Sequence, residues 1–177
     1  MATADPSHDH SAPEAARDLL RHLAATLAYR AAKVLRDAPP SFTAFAAGSS
    51  TRPPVRIVAH MADLMAWGVT LAHGDYVWKA EGSDDWHAEV RRFFDGLATL
   101  DRALAERRLS ADSVAKLIQG PLADALTHVG QLAMLRGMAG APVRPESYAR
   151  AQIVVGRVGL DQPAAVREFD GDASSSR

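Results

Sequence analysis

The chain has 177 residues, 47% of them hydrophobic and 23% charged, which suits one domain able to bury a core. Its net charge of −1 gives no electrostatic reason to expect nucleic acid or an anionic membrane as a partner. It contains no cysteine, which excludes disulfides, thiolate nucleophiles and cysteine-based zinc sites. No apolar run approaches the roughly 20 residues of a membrane span, and MATADPSHDHSAPE lacks the basic and apolar regions of a secretory signal. We therefore expect a cytoplasmic protein.

Three long helices are predicted in the first two thirds of the chain, from apolar residues that recur every three or four positions. The first covers residues 12–37: it begins at SAPE, where Ser11 and Glu14 have the spacing of a capping box, and is stopped by DAPP. The second covers residues 54–73. The third covers residues 86–106 and has the clearest helical periodicity in the chain.

A fourth long helix is predicted over residues 121–138, after a short helix in ADSVAKLIQ. Gly120 and Pro121 separate the two, with Pro121 in the first position of the long helix. The long helix ends at Gly140, because glycine is the usual residue after a helix C-terminus. The only candidate strand is QIVVGRVG, and its glycines weaken it.

These elements predict an all-α fold: an antiparallel four-helix bundle with a short irregular C-terminal extension. The single domain is expected to cover residues 11–170. Residues 1–10 and 171–177 are polar and small, so we expect them to be disordered tails.

The fourth helix carries Asp124 and, four residues later, His128, in a segment otherwise rich in Leu, Ala, Met and Val. Residues four apart lie on one face of a helix, so both side chains can point at one ligand. Carboxylate and imidazole both bind divalent metals. A third ligand must come from elsewhere, and His60 is the candidate because it lies within an apolar helix, RIVAHMADLMAW.

Each of these three residues also has an ordinary structural explanation. A histidine in an apolar helix often bonds to a backbone carbonyl in the core. A carboxylate in the first turn of a helix is favoured by the helix dipole, and an Asp–His pair four residues apart can be a surface interaction. The spacing alone leaves these alternatives open beside the metal hypothesis.

Three further residues lie within two helical turns of the candidate ligands. Asp63, one turn after His60, is a candidate to orient the free ring nitrogen of that histidine, or a solvated surface aspartate. Trp67, two turns after His60, is a candidate pocket wall or an ordinary core aromatic. Gln131, three residues after His128, is expected to contact that histidine or a facing helix.

The segments ADALTHVGQLAMLRGMAGAPV and VAHMADLMAW resemble the DinB/YfiT-like superfamily of bacterial four-helix proteins, and the resemblance covers residues 15–145. In that family one histidine of the second helix and two of the fourth, spaced H-x-x-x-H, commonly hold a metal. By the resemblance, His60 matches the second-helix ligand and His128, two residues before GQL, matches the later fourth-helix ligand. The earlier position is Asp124 here, so the resemblance implies a set of two histidines and one carboxylate.

The resemblance implies a metal-dependent enzyme with a small-molecule substrate: a thiol-dependent transferase or isomerase, or a hydrolase, whose metal activates a thiol or water. Zinc or nickel is the first expectation, with iron or manganese as alternatives and a low-molecular-weight thiol as a candidate cofactor. It also implies a homodimer. The alternative is a non-catalytic dimeric scaffold or stress-response binding protein with a degenerate metal site, and the aspartate at position 124 favours that alternative.

Overall fold

The computed structural model describes residues 11–169, and the helices dominate this range. Within it there is no strand, only one isolated antiparallel bridge between Glu146 and Glu168. The all-α prediction is therefore confirmed, and QIVVGRVG forms no strand. The predicted tails, 1–10 and 171–177, lie outside the described residues.

Four long helices and one short helix make up the fold. They are α1 (Ser11–Leu35), α2 (Pro54–Ala72), α3 (Trp86–Glu106), the short α4 (Ala111–Leu117) and α5 (Ala123–Met138). The bounds of α3 are the predicted ones, and its first turn is capped by the Asp85 side chain, which accepts a hydrogen bond from the Ala88 amide. Helix α1 ends earlier than predicted, and Asp37 beyond it takes a left-handed conformation with φ 53°.

The predicted break at Gly120 and Pro121 is a kink. Residues Ile118–Leu122 form a π-type turn that joins α4 to α5, and Gly120 takes non-helical angles of φ −94° and ψ −105°. Proline has no amide hydrogen and its ring crowds the preceding turn, so regular helical hydrogen bonding cannot pass this point. Pro121 therefore lies inside the turn, and α5 begins at Ala123 rather than at Pro121.

Helices α2 and α3 lie parallel to each other. Near the start of both, Arg92 donates a hydrogen bond of 2.8 Å to the Ala59 carbonyl, and further along both, Gly68 packs against Leu100. The connection of residues 73–85 allows this, because when extended it can span about 40 Å, more than the roughly 28 Å length of α2. The predicted antiparallel four-helix bundle thus stays a prediction, compatible with these contacts, in which α2 and α3 are a parallel pair.

Helices α2 and α5 run in opposite directions. His60 meets Asp124, while the later α2 residue Gly68 meets the earlier residue Pro121. Helix α1 packs against α3 and α5 as well, so the four long helices share one core. These contacts are compatible with a four-helix bundle.

The C-terminal extension is fixed against α1. The Glu146 side chain is fully buried and accepts hydrogen bonds from the Tyr29 hydroxyl at 2.6 Å and from Lys33 Nζ at 2.9 Å. Lys33 also pairs with Glu168 at 2.6 Å. The extension is thus irregular, as predicted, but held to the helices by buried charges.

Among residues 11–169, only α2 is long and apolar enough to cross a membrane by those two criteria. Of the 18 most apolar consecutive residues of α2, 67% are buried inside the protein. A core helix of a soluble protein passes the same test, and α2 has that environment.

Candidate metal centre

The three predicted ligands come together between α2 and α5. His60 Nε2 lies 3.3 Å from Asp124 Oδ2, and His128 Nε2 lies 3.3 Å from Asp124 Oδ1. One ligand atom from each residue lies within 4.8 Å of the other two. The carboxylate thus stands between the two imidazoles, one oxygen facing each.

The accessibility of the three side chains is graded. His128 is 11% exposed, His60 25% and Asp124 44%. The histidines are therefore set into the protein, while the carboxylate forms the solvent side of the cluster. A small molecule can approach from that side without any helix moving.

Gln131 determines which nitrogen of His128 faces the cluster. The Nδ1 atom of His128 lies 2.7 Å from Gln131 Oε1, and because an amide oxygen only accepts, Nδ1 donates the hydrogen. In the neutral imidazole the lone pair is then on Nε2, which faces Asp124. The predicted contact of Gln131 is therefore with His128, not with a facing helix.

This tautomer leaves the cluster in need of a cation. In the neutral imidazole with this tautomer, the lone pair of His128 Nε2 and an oxygen of the Asp124 carboxylate face each other at 3.3 Å, whereas a protonated imidazole would donate to that oxygen. Two acceptors at this distance repel, and a positive charge placed between them converts the repulsion into attraction. With metal–ligand bonds of about 2.0–2.2 Å, neighbouring ligand atoms stand roughly 3.0–3.5 Å apart, and the two His–Asp distances of 3.3 Å match this spacing.

Asp63 does not take part in the cluster. Its carboxylate accepts hydrogen bonds from Arg92 Nη1 at 2.6 Å and from the Glu81 amide at 3.2 Å. The hypothesis that Asp63 orients His60 is therefore wrong, because its position on α2 faces α3 instead of α5. Asp63 is 5% exposed, so it is not a solvated surface residue either.

Arg92 and its two carboxylates fix the α2–α3 connection to both helices. Arg92 pairs with Asp63 and also with Glu89, whose other oxygen accepts a hydrogen bond of 2.6 Å from the Ser83 amide. Burial alone would raise the pKa of Glu89, but the hydrogen bonds from Ser83 and Arg92 outweigh burial and hold that pKa below its ordinary value. The connection is thus attached through Glu81 and Ser83.

Aromatic side chains of the same connection cover the other side of His60. The Trp78 ring packs edge-on against the His60 imidazole with centroids 5.6 Å apart. Trp67 contacts Trp78 and Tyr76 in turn, and it also lies against Gly120, where an added Cβ would come within 2.9 Å of the Trp67 ring. Trp67 therefore supports the wall of the site from behind, and Trp78 forms its surface.

The sequence analysis did not identify Trp78, because this residue lies between the predicted second and third helices, outside any helical pattern. The available signal was the YVW triplet, an unusual cluster of large apolar side chains in a loop. It also did not predict a groove lined by His128 and Gln131.

Comparisons of the chain with protein-family models, with curated proteins and with solved structures found no match in any of the three. The resemblance to the DinB/YfiT-like superfamily therefore stays a prediction.

Proposed function

We propose that the chain is a metal-dependent enzyme of the DinB/YfiT type, with His60, Asp124 and His128 as ligands of a divalent transition metal. The observation that carries the proposal is the convergence of one ligand atom from each of the three residues within 4.8 Å, with His128 Nε2 turned towards Asp124 Oδ1 while Nδ1 contacts Gln131. A buried acceptor is normally supplied with a donor, and here a metal ion takes that place.

Two imidazoles and one carboxylate are a ligand set for borderline metals. We propose zinc or nickel first, since imidazole suits both, with iron or manganese as alternatives. Calcium and magnesium are disfavoured, because they take oxygen ligands almost throughout.

Three protein ligands leave coordination positions open, which is the arrangement of a catalytic rather than a structural site. A metal held there by His60, Asp124 and His128 would lower the pKa of a bound thiol or water and so supply a nucleophile near neutral pH. This supports a thiol-dependent transferase or isomerase, or a hydrolase, that acts on a small molecule, with a low-molecular-weight thiol as the candidate cofactor.

The residues of this chain supply position and shielding. Gln131 holds the imidazole of His128 in one orientation, and Trp78 shields the ring of His60 from water. Asp124, the most exposed of the three, borders the space from which substrate would arrive.

Zinc binding to purified protein, measured by competition with a chelator, tests the proposal. We expect Asp124→Ala to weaken zinc binding at least tenfold while the protein stays folded, since a carboxylate that serves only the helix dipole contributes about 0.3–1 kcal/mol. Asp124→His should retain or tighten zinc and nickel, because imidazole suits both.

Asp112→Ala is the matched control. Asp112 is also an aspartate in a first helical turn with a partner four residues later, Lys116, but it lies on α4 away from the cluster. The Asp112→Ala variant should bind zinc with the affinity of the wild type. A wild-type protein that binds no transition metal, or an Asp124→Ala variant that binds it normally, would contradict the proposal and favour the non-catalytic scaffold.

The remaining expectations belong to the same proposal. We propose that the four long helices form the DinB-type bundle, that the protein acts in the cytoplasm and that it is a homodimer. Light scattering at micromolar concentration tests the last of these, and the mass of a single chain would contradict it.

A further inference from the structure

A groove of about 390 Å³ opens beside the cluster on the side of His128, away from Trp78. Its walls include the apolar side chains of Ile57, Met134 and Leu135. His128 and Gln131 line it as well, so the groove leads directly to one of the proposed metal ligands.

Among the described residues that line the groove, Arg52, from the connection that precedes α2, is the only one with a charged side chain. Arg52 is exposed, and within residues 11–169 no carboxylate pairs with it. Its neighbour Arg56, by contrast, pairs with Asp84 at 2.7 Å. In the part of the chain that the structure describes, the groove therefore combines apolar walls with one positive charge that no carboxylate pairs.

We propose that this groove binds small organic acids that carry a carboxylate on a short apolar body. The carboxylate pairs with Arg52, the body lies against Ile57 and Met134, and the opposite end lies beside His128, the one proposed metal ligand that lines the groove. The inference rests on the proposed function, for which it names the substrate class.

Charge and shape favour a carboxylate over other anions. The planar guanidinium fork of arginine matches a carboxylate through two parallel hydrogen bonds. A phosphate monoester carries up to two negative charges, and one arginine would leave the second uncompensated. The apolar walls disfavour a fully hydrated ion and gain from contact with a hydrocarbon chain.

Two matched probes test the inference on zinc-loaded protein: hexanoate with a terminal thiol, and the uncharged hexanol with the same terminal thiol. Dissociation constants are measured from the methyl NMR signal of Met134, with the fully buried Met61 and Met65 as internal references. We expect the acid to bind about two- to fivefold more tightly than the alcohol, the ordinary effect of a charge pair at an exposed arginine.

Arg52→Gln should remove this preference, whereas Arg56→Gln, which changes a cation already paired with Asp84, should keep it. Equal binding of acid and alcohol to the wild type, or an unchanged preference in Arg52→Gln, overturns the inference. Zinc uptake is measured in the same samples. A protein that takes up zinc but shows no preference overturns only the groove proposal, whereas one that takes up no zinc overturns the proposed function and this inference with it.

Discussion

Replacing Gln131 by leucine tests whether the protein holds His128 ready for a metal. The leucine removes the acceptor of the Nδ1 hydrogen from an imidazole whose residue is only 9% exposed. In the metal-free protein the hydrogen can move to Nε2 and bond to Asp124, so little stability should be lost. A metal bound at Nε2 prevents the hydrogen from moving there. The unpaired Nδ1 hydrogen then destabilises only the metal-bound state.

The size of the effect follows from this difference. An unpaired buried donor costs about 1–3 kcal/mol, and each 1.4 kcal/mol corresponds to about tenfold in affinity. Loss of a hydrogen bond to a metal-ligating histidine typically weakens metal binding about 10–100-fold. We therefore expect Gln131→Leu to bind zinc about 10–100-fold more weakly by chelator competition, with nearly unchanged urea unfolding of the metal-free protein.

Two controls separate this explanation from a general disturbance of the helix. Gln131→Glu keeps an acceptor for Nδ1 and should keep wild-type affinity for zinc. Gln119→Leu makes the same change at an exposed position of the π-type turn and should have no effect. The proposed role of Gln131 would be refuted if Gln131→Leu bound zinc normally. It would also be refuted if the metal-free variant lost as much free energy of unfolding as the variant lost in free energy of zinc binding.

Two further predictions concern buried charges. Tyr29→Phe removes a hydrogen bond to the buried Glu146 and should lower the free energy of unfolding, measured in urea, by about 2 kcal/mol. Tyr148→Phe should change this free energy little, because the Tyr148 hydroxyl has no hydrogen bond within residues 11–169. Burial, and then the hydrogen bond to Glu146, raise the pKa of Tyr29. The free energy of unfolding of the wild type should therefore fall above the ordinary tyrosine pKa of 10.0, and that of the phenylalanine variant should fall less. An equal alkaline loss in both proteins would contradict this. The pKa of Glu89 is held below its ordinary 4.5 by hydrogen bonds that outweigh burial, so stability should fall as the pH drops below that value. Glu89→Gln should reduce this acid dependence in urea titrations, and an unchanged slope would count against the role of the carboxylate.

The long helices could be predicted because their signals are local. The apolar residues of α3 recur with the helical period, and its bounds Trp86–Glu106 follow from that pattern. The direction of α3 relative to α2 could not be predicted, since it depends on how residues 73–85 return along α2. Nothing in the composition of that connection specifies its path.

The cluster could be predicted in part for the same reason. Asp124 and His128 are four residues apart on one helix, and His60 was identified by its apolar surroundings. The partner of Asp63 could not be predicted in this way, because Arg92 is 29 positions away and the choice between α3 and α5 depends on tertiary packing. A side chain near the edge between two neighbouring helices can face either one.

The attachment of the α2–α3 connection gives the site a part that can change independently. The connection is fixed at its far end through Glu81 and Ser83, while residues 75–80 contribute no side chain to the buried core. Within that stretch Trp78 still covers His60. Substitutions in these six consecutive positions would therefore alter the mouth of the site and its contacts with His60 and Trp67, while the buried core and the ligand residues themselves stay unchanged. This stretch is the natural place for a variant library in directed evolution.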